Sequence, residues 1–178
     1  MAQEVTGVNA AVAATMVGII SIANGTGRFV WAWLSDLVGR RHVFLVMFLL
    51  QAGLFAVLPR IHSFGLFTSV AVFILLCYGG GFGTMPAFCA DYFGSREVGS
   101  IYGLMLTAWG CGSALGPILI AHVRQSTGEY NQALLIIAGI MIVAAALPLF
   151  LKAPNLAKVS RKSLRPEAQF RAQKEITI

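Results

Sequence analysis

Residues 32–41 read AWLSDLVGRR, a short polar stretch between two apolar blocks. The block before it, residues 10–34, is long enough as an α-helix to cross a hydrocarbon core of about 30 Å. The block after it, residues 43–58, forms a shorter span that ends at Pro59 and Arg60, where proline stops a helix. An acid, a glycine and two arginines between such blocks are typical of a tight charged turn. The stretch therefore predicts two transmembrane helices joined at a membrane surface.

Three more apolar blocks follow, and the composition agrees with a membrane protein. The chain is 57% apolar and 11% charged with a mean hydropathy of +0.77, whereas about 25% charged residues are usual in a soluble domain. The predicted spans are residues 10–34, 43–58, 64–88, 99–121 and 132–151. The sequence thus predicts an all-α membrane protein, with five transmembrane helices in residues 1–152 and a basic cytoplasmic tail at residues 153–178.

The distribution of positive charge predicts the orientation. With five spans, two Lys/Arg residues fall on one side of the membrane and ten on the other, including those of the tail. Cytoplasmic loops carry the excess of Lys and Arg, so we expect a cytoplasmic C-terminus in a bacterial inner (plasma) membrane. Seven of the thirteen basic residues lie from Lys152 onward and no basic stripe is interleaved with aromatic residues, so the net charge of +6 does not indicate nucleic acid binding. The tail could instead bind membrane lipids.

The charged turn carries a family resemblance. Asp36, Gly39, Arg40 and Arg41 form a compact set of charges that can lock neighbouring helices together. The stretch resembles the signature cytoplasmic loop of the major facilitator superfamily, which occurs once in each six-helix half of those transporters. Ala32 stands where the family usually has glycine. The alternative is that the two arginines only anchor the topology.

Other stretches narrow the resemblance. Three stretches are similar to the C-terminal half of oxalate/formate antiporter-type carriers: residues 24–28 (NGTGR), residues 90–94 (ADYFG), and the stretch from Ile101-Tyr102-Gly103 through Gly116-Pro117. The similarity covers residues 8–152. The resemblance implies the last five helices of a twelve-helix carrier, an incomplete C-terminal bundle whose N-terminal helical bundle is missing. It also implies secondary transport or antiport of a small organic anion, such as a monocarboxylate or oxalate/formate.

Arg28 is the charged residue deepest in a predicted span, and such residues are functional hypotheses by default. Helical spacing places it on one stripe with Ser21, Asn24 and Trp31, which could line a cavity. The resemblance implies that Arg28 helps bind a carboxylate, a task that suits the planar guanidinium. The alternative is that Arg28 extends to the cytoplasmic interface as an anchor.

Tyr102, Met105 and Trp109 recur at helical spacing and could line the same cavity, although such a stripe is also typical of helix packing. Carriers of dicarboxylates resemble one another in having a lysine where Trp109 stands here. The resemblance therefore favours a substrate with one carboxylate.

The sequence has no paired carboxylates, His/Asp/Glu cluster, phosphate-binding loop or nucleophile triad, so we expect no enzyme activity, cofactor or metal. Two functions stay open at this stage. One is a carrier of organic anions, and the other is a non-transporting membrane remnant or assembly partner that kept only helix-packing residues.

Overall fold

The computed structural model describes Gln3 and residues 6–150, so the predicted tail lies outside the described residues. The long helices are α1 (Ala10–Val38), α2 (Arg40–Val57), α3 (Phe64–Phe93), α4 (Val98–Thr127) and α5 (Asn131–Phe150). Short 3-10 turns at Leu58–Arg60 and Ser95–Glu97 lead into α3 and α4. Five helical segments are long and apolar enough to cross a membrane, and no strand occurs in the described part of the chain. The predicted all-α membrane class is confirmed.

The charged turn is tighter than the polar loop that the sequence suggests. Ser35 and Asp36 lie in the last turn of α1, and only Gly39 separates α1 from α2. Gly39 has a φ of 96°, and its N–H donates to the Ser35 carbonyl at 3.1 Å. Because a side chain would be strained at this φ, the turn requires glycine. The helices can continue through the polar residues because the backbone hydrogen bonds do not depend on apolar side chains.

The polar residues directly after the third apolar block also continue a helix. Helix α3 continues past the apolar span to Phe93, so Asp91 lies in its last turn and not in a loop. Gly94 ends the helix with a φ of 87° and donates to the Ala90 carbonyl at 3.0 Å. This extension places the Asp91 carboxylate at the same end of the bundle as the charged turn.

Helices α1 and α3 form the most extensive helix pair. A Cβ atom at Gly27 would overlap the backbone of Leu76, and one at Gly83 would overlap the backbone of Arg28. Without Cβ atoms at these positions the two backbones approach closely, as small residues permit between membrane helices. The glycine-rich part of α3 therefore fixes its position against the helix that carries Arg28.

The other contacts leave α4 at the margin of the bundle. Helix α2 packs mainly on α5, whereas α4 makes few contacts and Val123 is its one residue classed as buried. Two apolar clusters form the core: Met16, Leu58, Phe67, Ala71, Ile74 and Leu134 in one, and Trp31, Val43, Phe44, Met47, Cys77 and Phe88 in the other. The looser packing of α4 leaves space between it and the core.

Candidate functional site

Arg40 is the centre of a network that joins the ends of three helices. Its Nη1 lies 2.6 Å from Asp36 Oδ1 on α1, and its Nε lies 3.0 Å from Asp91 Oδ2 on α3. Nη1 also donates to the hydroxyl of Ser35, which is 1% exposed. The Arg40 side chain is 19% exposed, so water competes less for its donors than at an open surface. Asp36 therefore pairs with a basic residue of the neighbouring helix α2.

Arg41 has a separate contact. Its Nη2 donates to the Leu149 carbonyl at 2.8 Å, in the last turn of α5. The last carbonyls of a helix have no intrahelical donor and carry partial negative charge, so a guanidinium is a favourable partner. Together, Arg40 and Arg41 connect α2 to α1, α3 and α5 at one end of the bundle.

Arg28 lies on the exposed side of α1. Its guanidinium carbon is 5.8 Å from the centroid of the Phe82 ring on α3, a cation–π distance. Among the residues that the structure describes, no carboxylate pairs with Arg28. The guanidinium therefore has hydrogen-bond donors available to a ligand.

The side chains of the predicted polar stripe on α1 differ in burial. Asn24 is half-buried, and its Oδ1 has no hydrogen-bond partner in the described part of the chain. Trp31 is 7% exposed and packs in the second apolar cluster, where a Cβ atom at Gly80 would overlap its indole. Its Nε1 is also without a partner among the described residues. The roles predicted for Asn24 and Trp31 as substrate contacts stay predictions.

An apolar cavity of about 510 Å³ lies between α2, α3, α4 and α5. Tyr102, Met105 and Trp109 all line it, so the three residues predicted from the spacing on α4 come together. Gln51 is the lining residue with an amide, and its Nε2 already donates to the Ile74 carbonyl at 3.2 Å. The remaining lining residues are Phe44, Met47, Phe48, Phe55, Ile74, Leu75, Cys77, Tyr78, Gly81, Phe82, Met85, Leu106 and Met141.

Three aromatic residues that line the cavity contact one another, and one of them is also near Arg28. The Trp109 indole donates to the Tyr78 hydroxyl at 2.6 Å, and its ring meets Phe82 edge-on with centroids 5.5 Å apart. Tyr78 and Phe82 also make an edge contact, with centroids 5.3 Å apart. We call Tyr78, Phe82 and Trp109 the aromatic wall. Its Phe82 ring contacts Arg28 and also lines the cavity.

The sequence did not single out Asp91, Tyr78 or Phe82 as site residues. Asp91 carried a signal, because it is an acid close to the end of an apolar span on the side of Arg40. Tyr78 and Phe82 are four residues apart and flank a run of glycines, which places them on one face of a helix. Their meeting with Trp109 depends on the register of α3 against α4.

The site offers groups that suit the binding of a ligand. No group of three or more His, Cys, Asp or Glu that could hold a metal was found within Gln3 and residues 6–150. The polar groups around the cavity are an amide, hydroxyls and an indole, with the Arg28 cation beside it. Such an arrangement can orient an anion against an apolar surface.

Comparison with known proteins gives one family. The family model for the Major Facilitator Superfamily matches residues 1–176. The chain is similar to an oxalate:formate antiporter of Oxalobacter formigenes, with 28% identity over 168 residues, which are 93% of this chain and 40% of that protein. It is also similar to YhjX, an uncharacterized MFS-type transporter of Escherichia coli (strain K12), with 30% identity over 118 residues. That alignment covers 64% of this chain and 28% of YhjX. The chain thus spans less than half the length of both relatives.

Proposed function

Since this chain belongs to the Major Facilitator Superfamily, we propose that it takes part in secondary transport of small organic anions, with Arg28 binding the substrate carboxylate. The family and the five apolar helices make it an integral membrane protein of a transporter family and not an enzyme. The name of the relative from Oxalobacter formigenes, an oxalate:formate antiporter, supports organic anions as the substrate class.

The position of Arg28 is the observation that carries this proposal. It is a cation within a membrane span, it has no carboxylate partner in the described part of the chain, and its guanidinium lies against the aromatic wall. A charge in a span is costly and usually belongs to a pathway or a binding site. Its planar donors fit a carboxylate through two parallel hydrogen bonds.

The charges near the aromatic wall favour a monocarboxylate. Trp109 occupies the position on α4 where the family resemblance implies a lysine in carriers of dicarboxylates, and its indole donates to Tyr78. Arg124, in the last turn of α4, is the one Lys or Arg residue of this helix. One cation beside the cavity can neutralise one carboxylate, so a second carboxylate of the same ligand would lack a cationic partner on α4.

The charged turn supplies the conformational part of the proposal. Arg40 joins α1, α2 and α3 through Asp36 and Asp91, so the network stabilises the arrangement in which these helix ends meet. Alternating access requires one bundle to move against another around the substrate site. We therefore assign Asp36, Gly39, Arg40 and Arg41 to the stabilisation of one state of the transport cycle.

A second helical bundle completes the pathway in this proposal. Substrate sites of such carriers lie between two bundles at the membrane midplane, and this chain spans 40% of the antiporter that it resembles. The charge distribution supports an orientation with the Arg40 end and the basic tail in the cytoplasm. The two relatives are bacterial, which supports a bacterial plasma membrane.

Binding of carboxylates to the full chain in lipid nanodiscs tests the role of Arg28. Formate, acetate and oxalate would be titrated calorimetrically into the wild type, Arg28→Lys, Arg28→Ala and the control Arg60→Ala. Loss of charge-assisted hydrogen bonds worth about 1.5–3 kcal/mol corresponds to a roughly 10- to 100-fold weaker affinity for Arg28→Ala. We expect Arg28→Lys to retain weak binding, because it keeps the charge and loses the planar fork.

The control separates a specific site from general attraction to positive charge. Arg60 is an exposed cation next to α2, so Arg60→Ala should bind acetate like the wild type. Equal affinities of the wild type and Arg28→Ala would exclude the binding role and favour a non-transporting membrane protein. Where binding depends on Arg28, uptake into liposomes that contain the chain and a companion bundle tests transport.

A further inference from the structure

The cavity lined by the aromatic wall is larger than a formate or oxalate ion requires. Its volume of about 510 Å³ falls within the range of roughly 300–1,000 Å³ found for pockets that hold drug-sized ligands. Formate and oxalate have only a few non-hydrogen atoms and no apolar surface to match this lining. A ligand that fills the cavity must have a substantial apolar body.

The cavity also has few polar groups that need a hydrogen-bond partner from a ligand. The amide of Gln51 is 8% exposed and donates to the Ile74 carbonyl, so this donor is already used. The Trp109 indole and the Tyr78 hydroxyl are paired with each other. Methionine side chains at Met47 and Met105 can adapt their shape to an apolar ligand.

The aromatic wall connects this apolar volume to a cation. Phe82 lines the cavity and holds the Arg28 guanidinium 5.8 Å from its ring centroid. A ligand with its charged group at Arg28 and its apolar part beyond Phe82 would match both environments. A neutral lipid chain would use the cavity alone and leave the neighbouring cation without a partner.

We propose that the cavity receives the apolar body of a monocarboxylate, an aromatic ring or a medium-length alkyl chain, while its carboxylate binds Arg28. This inference rests on the proposed function and deepens it by naming the substrate class. The cavity residues then act as specificity-determining residues, because burial of apolar surface favours the larger acid over formate or acetate.

Gly81 offers a direct way to fill the cavity. It lines the cavity, and a Cβ atom added there meets no atom within 4 Å, so Gly81→Leu should occupy the volume without a backbone clash. Gly53 on α2 is the matched control, since its added Cβ also meets nothing within 4 Å and it is exposed. Leu106→Phe fills the cavity from α4 as a second variant. A shared unfolding midpoint with the wild type shows that each variant is folded.

The test titrates phenylacetate, acetate and neutral 2-phenylethanol into the full chain in nanodiscs, with empty nanodiscs as the partition blank. We expect phenylacetate to bind at least 10-fold more tightly than acetate to the wild type and Gly53→Leu. Gly81→Leu and Leu106→Phe should lose that preference, with the phenylacetate affinity falling toward that of acetate. Arg28→Gln should weaken both acids.

Two results would overturn the inference. If the preference for phenylacetate is absent or survives in both filled variants, the cavity does not hold the apolar body. If 2-phenylethanol binds as tightly as phenylacetate, the cavity accepts neutral molecules such as lipid chains. If acetate binding depends on Arg28 but phenylacetate is not preferred, the proposed function stands and only this inference fails. If both acids bind equally well without Arg28, the proposed function itself is refuted.

Discussion

We predict that removing either charge of the Arg40–Asp91 pair weakens the contact between α2 and α3. The atoms Nε and Oδ2 lie 3.0 Å apart, and the side chains are 19% and 50% exposed. Two unit charges at this distance interact by about 1.4 kcal/mol in water and about 5.5 kcal/mol at an effective dielectric constant near 20. Exposed pairs measure only about 0.2–1 kcal/mol after side-chain entropy is included. Because Asp91 is half-exposed and Arg40 is not, we expect a coupling of about 1 kcal/mol.

A double-mutant cycle measures this coupling. The free energy of unfolding would be determined by titration with a denaturing detergent for the wild type, Arg40→Gln, Asp91→Asn and the double variant. Arg96 and Glu97 form the matched control pair, with atoms 4.0 Å apart and side chains 96% and 61% exposed. We expect a coupling near zero for this control, within the roughly 0.3–0.5 kcal/mol to which independent sites add.

The cycle also distinguishes the pair from the rest of the network. Asp91→Asn leaves Asp36 within 2.6 Å of Arg40, so a residual network persists. The coupling should decrease at 1 M salt, where the screening length is about 3 Å. A coupling no larger than that of the Arg96–Glu97 pair would refute the assignment of Asp91 to the locking network.

Two further predictions concern helix packing and orientation. Gly27→Leu should lower the free energy of unfolding by about 1–3 kcal/mol or more, because its side chain would overlap the backbone of α3. The control Gly25→Leu should leave the free energy of unfolding nearly unchanged, because no atom lies within 4 Å of its added Cβ. Equal unfolding midpoints of the two variants would contradict the close contact between α1 and α3. The orientation can be tested in a variant without the native cysteines. His62→Cys should react with an impermeant thiol reagent added outside cells, whereas Arg96→Cys should not. The reverse pattern would contradict a cytoplasmic C-terminus.

The sequence was sufficient for the helices because their main signal is local. A span is recognised from apolar length, and the glycine at position 39 marks a backbone conformation that few other residues adopt. The glycine-rich run of α3 is likewise visible in the sequence, and a Cβ atom at Gly83 would overlap the Arg28 backbone. These features need no knowledge of which helices become neighbours.

The long-range contacts could not be read in the same way. Arg40 and Asp91 are 51 positions apart in the chain, and their contact requires α3 to extend beyond its apolar segment. Hydropathy ends the span near Phe88, whereas the helix ends at Phe93. The apolar cavity likewise depends on the space left between α4 and the core, which no pattern within one helix records.

The divided stripe on α1 shows why helical spacing alone misplaces a site. Arg28 and Trp31 lie on one face by spacing, but α3 approaches α1 so closely that it covers part of that face. Trp31 is 7% exposed, and a Cβ atom at Gly80 would overlap its indole. A Cβ atom at Gly83 would overlap the backbone of Arg28, whose side chain is exposed. The guanidinium then contacts Phe82 of α3, and Phe82 contacts Trp109 of α4. The proposed carboxylate site therefore involves three helices, and the lack of a Cβ atom at Gly83 permits α3 to approach the helix that carries Arg28.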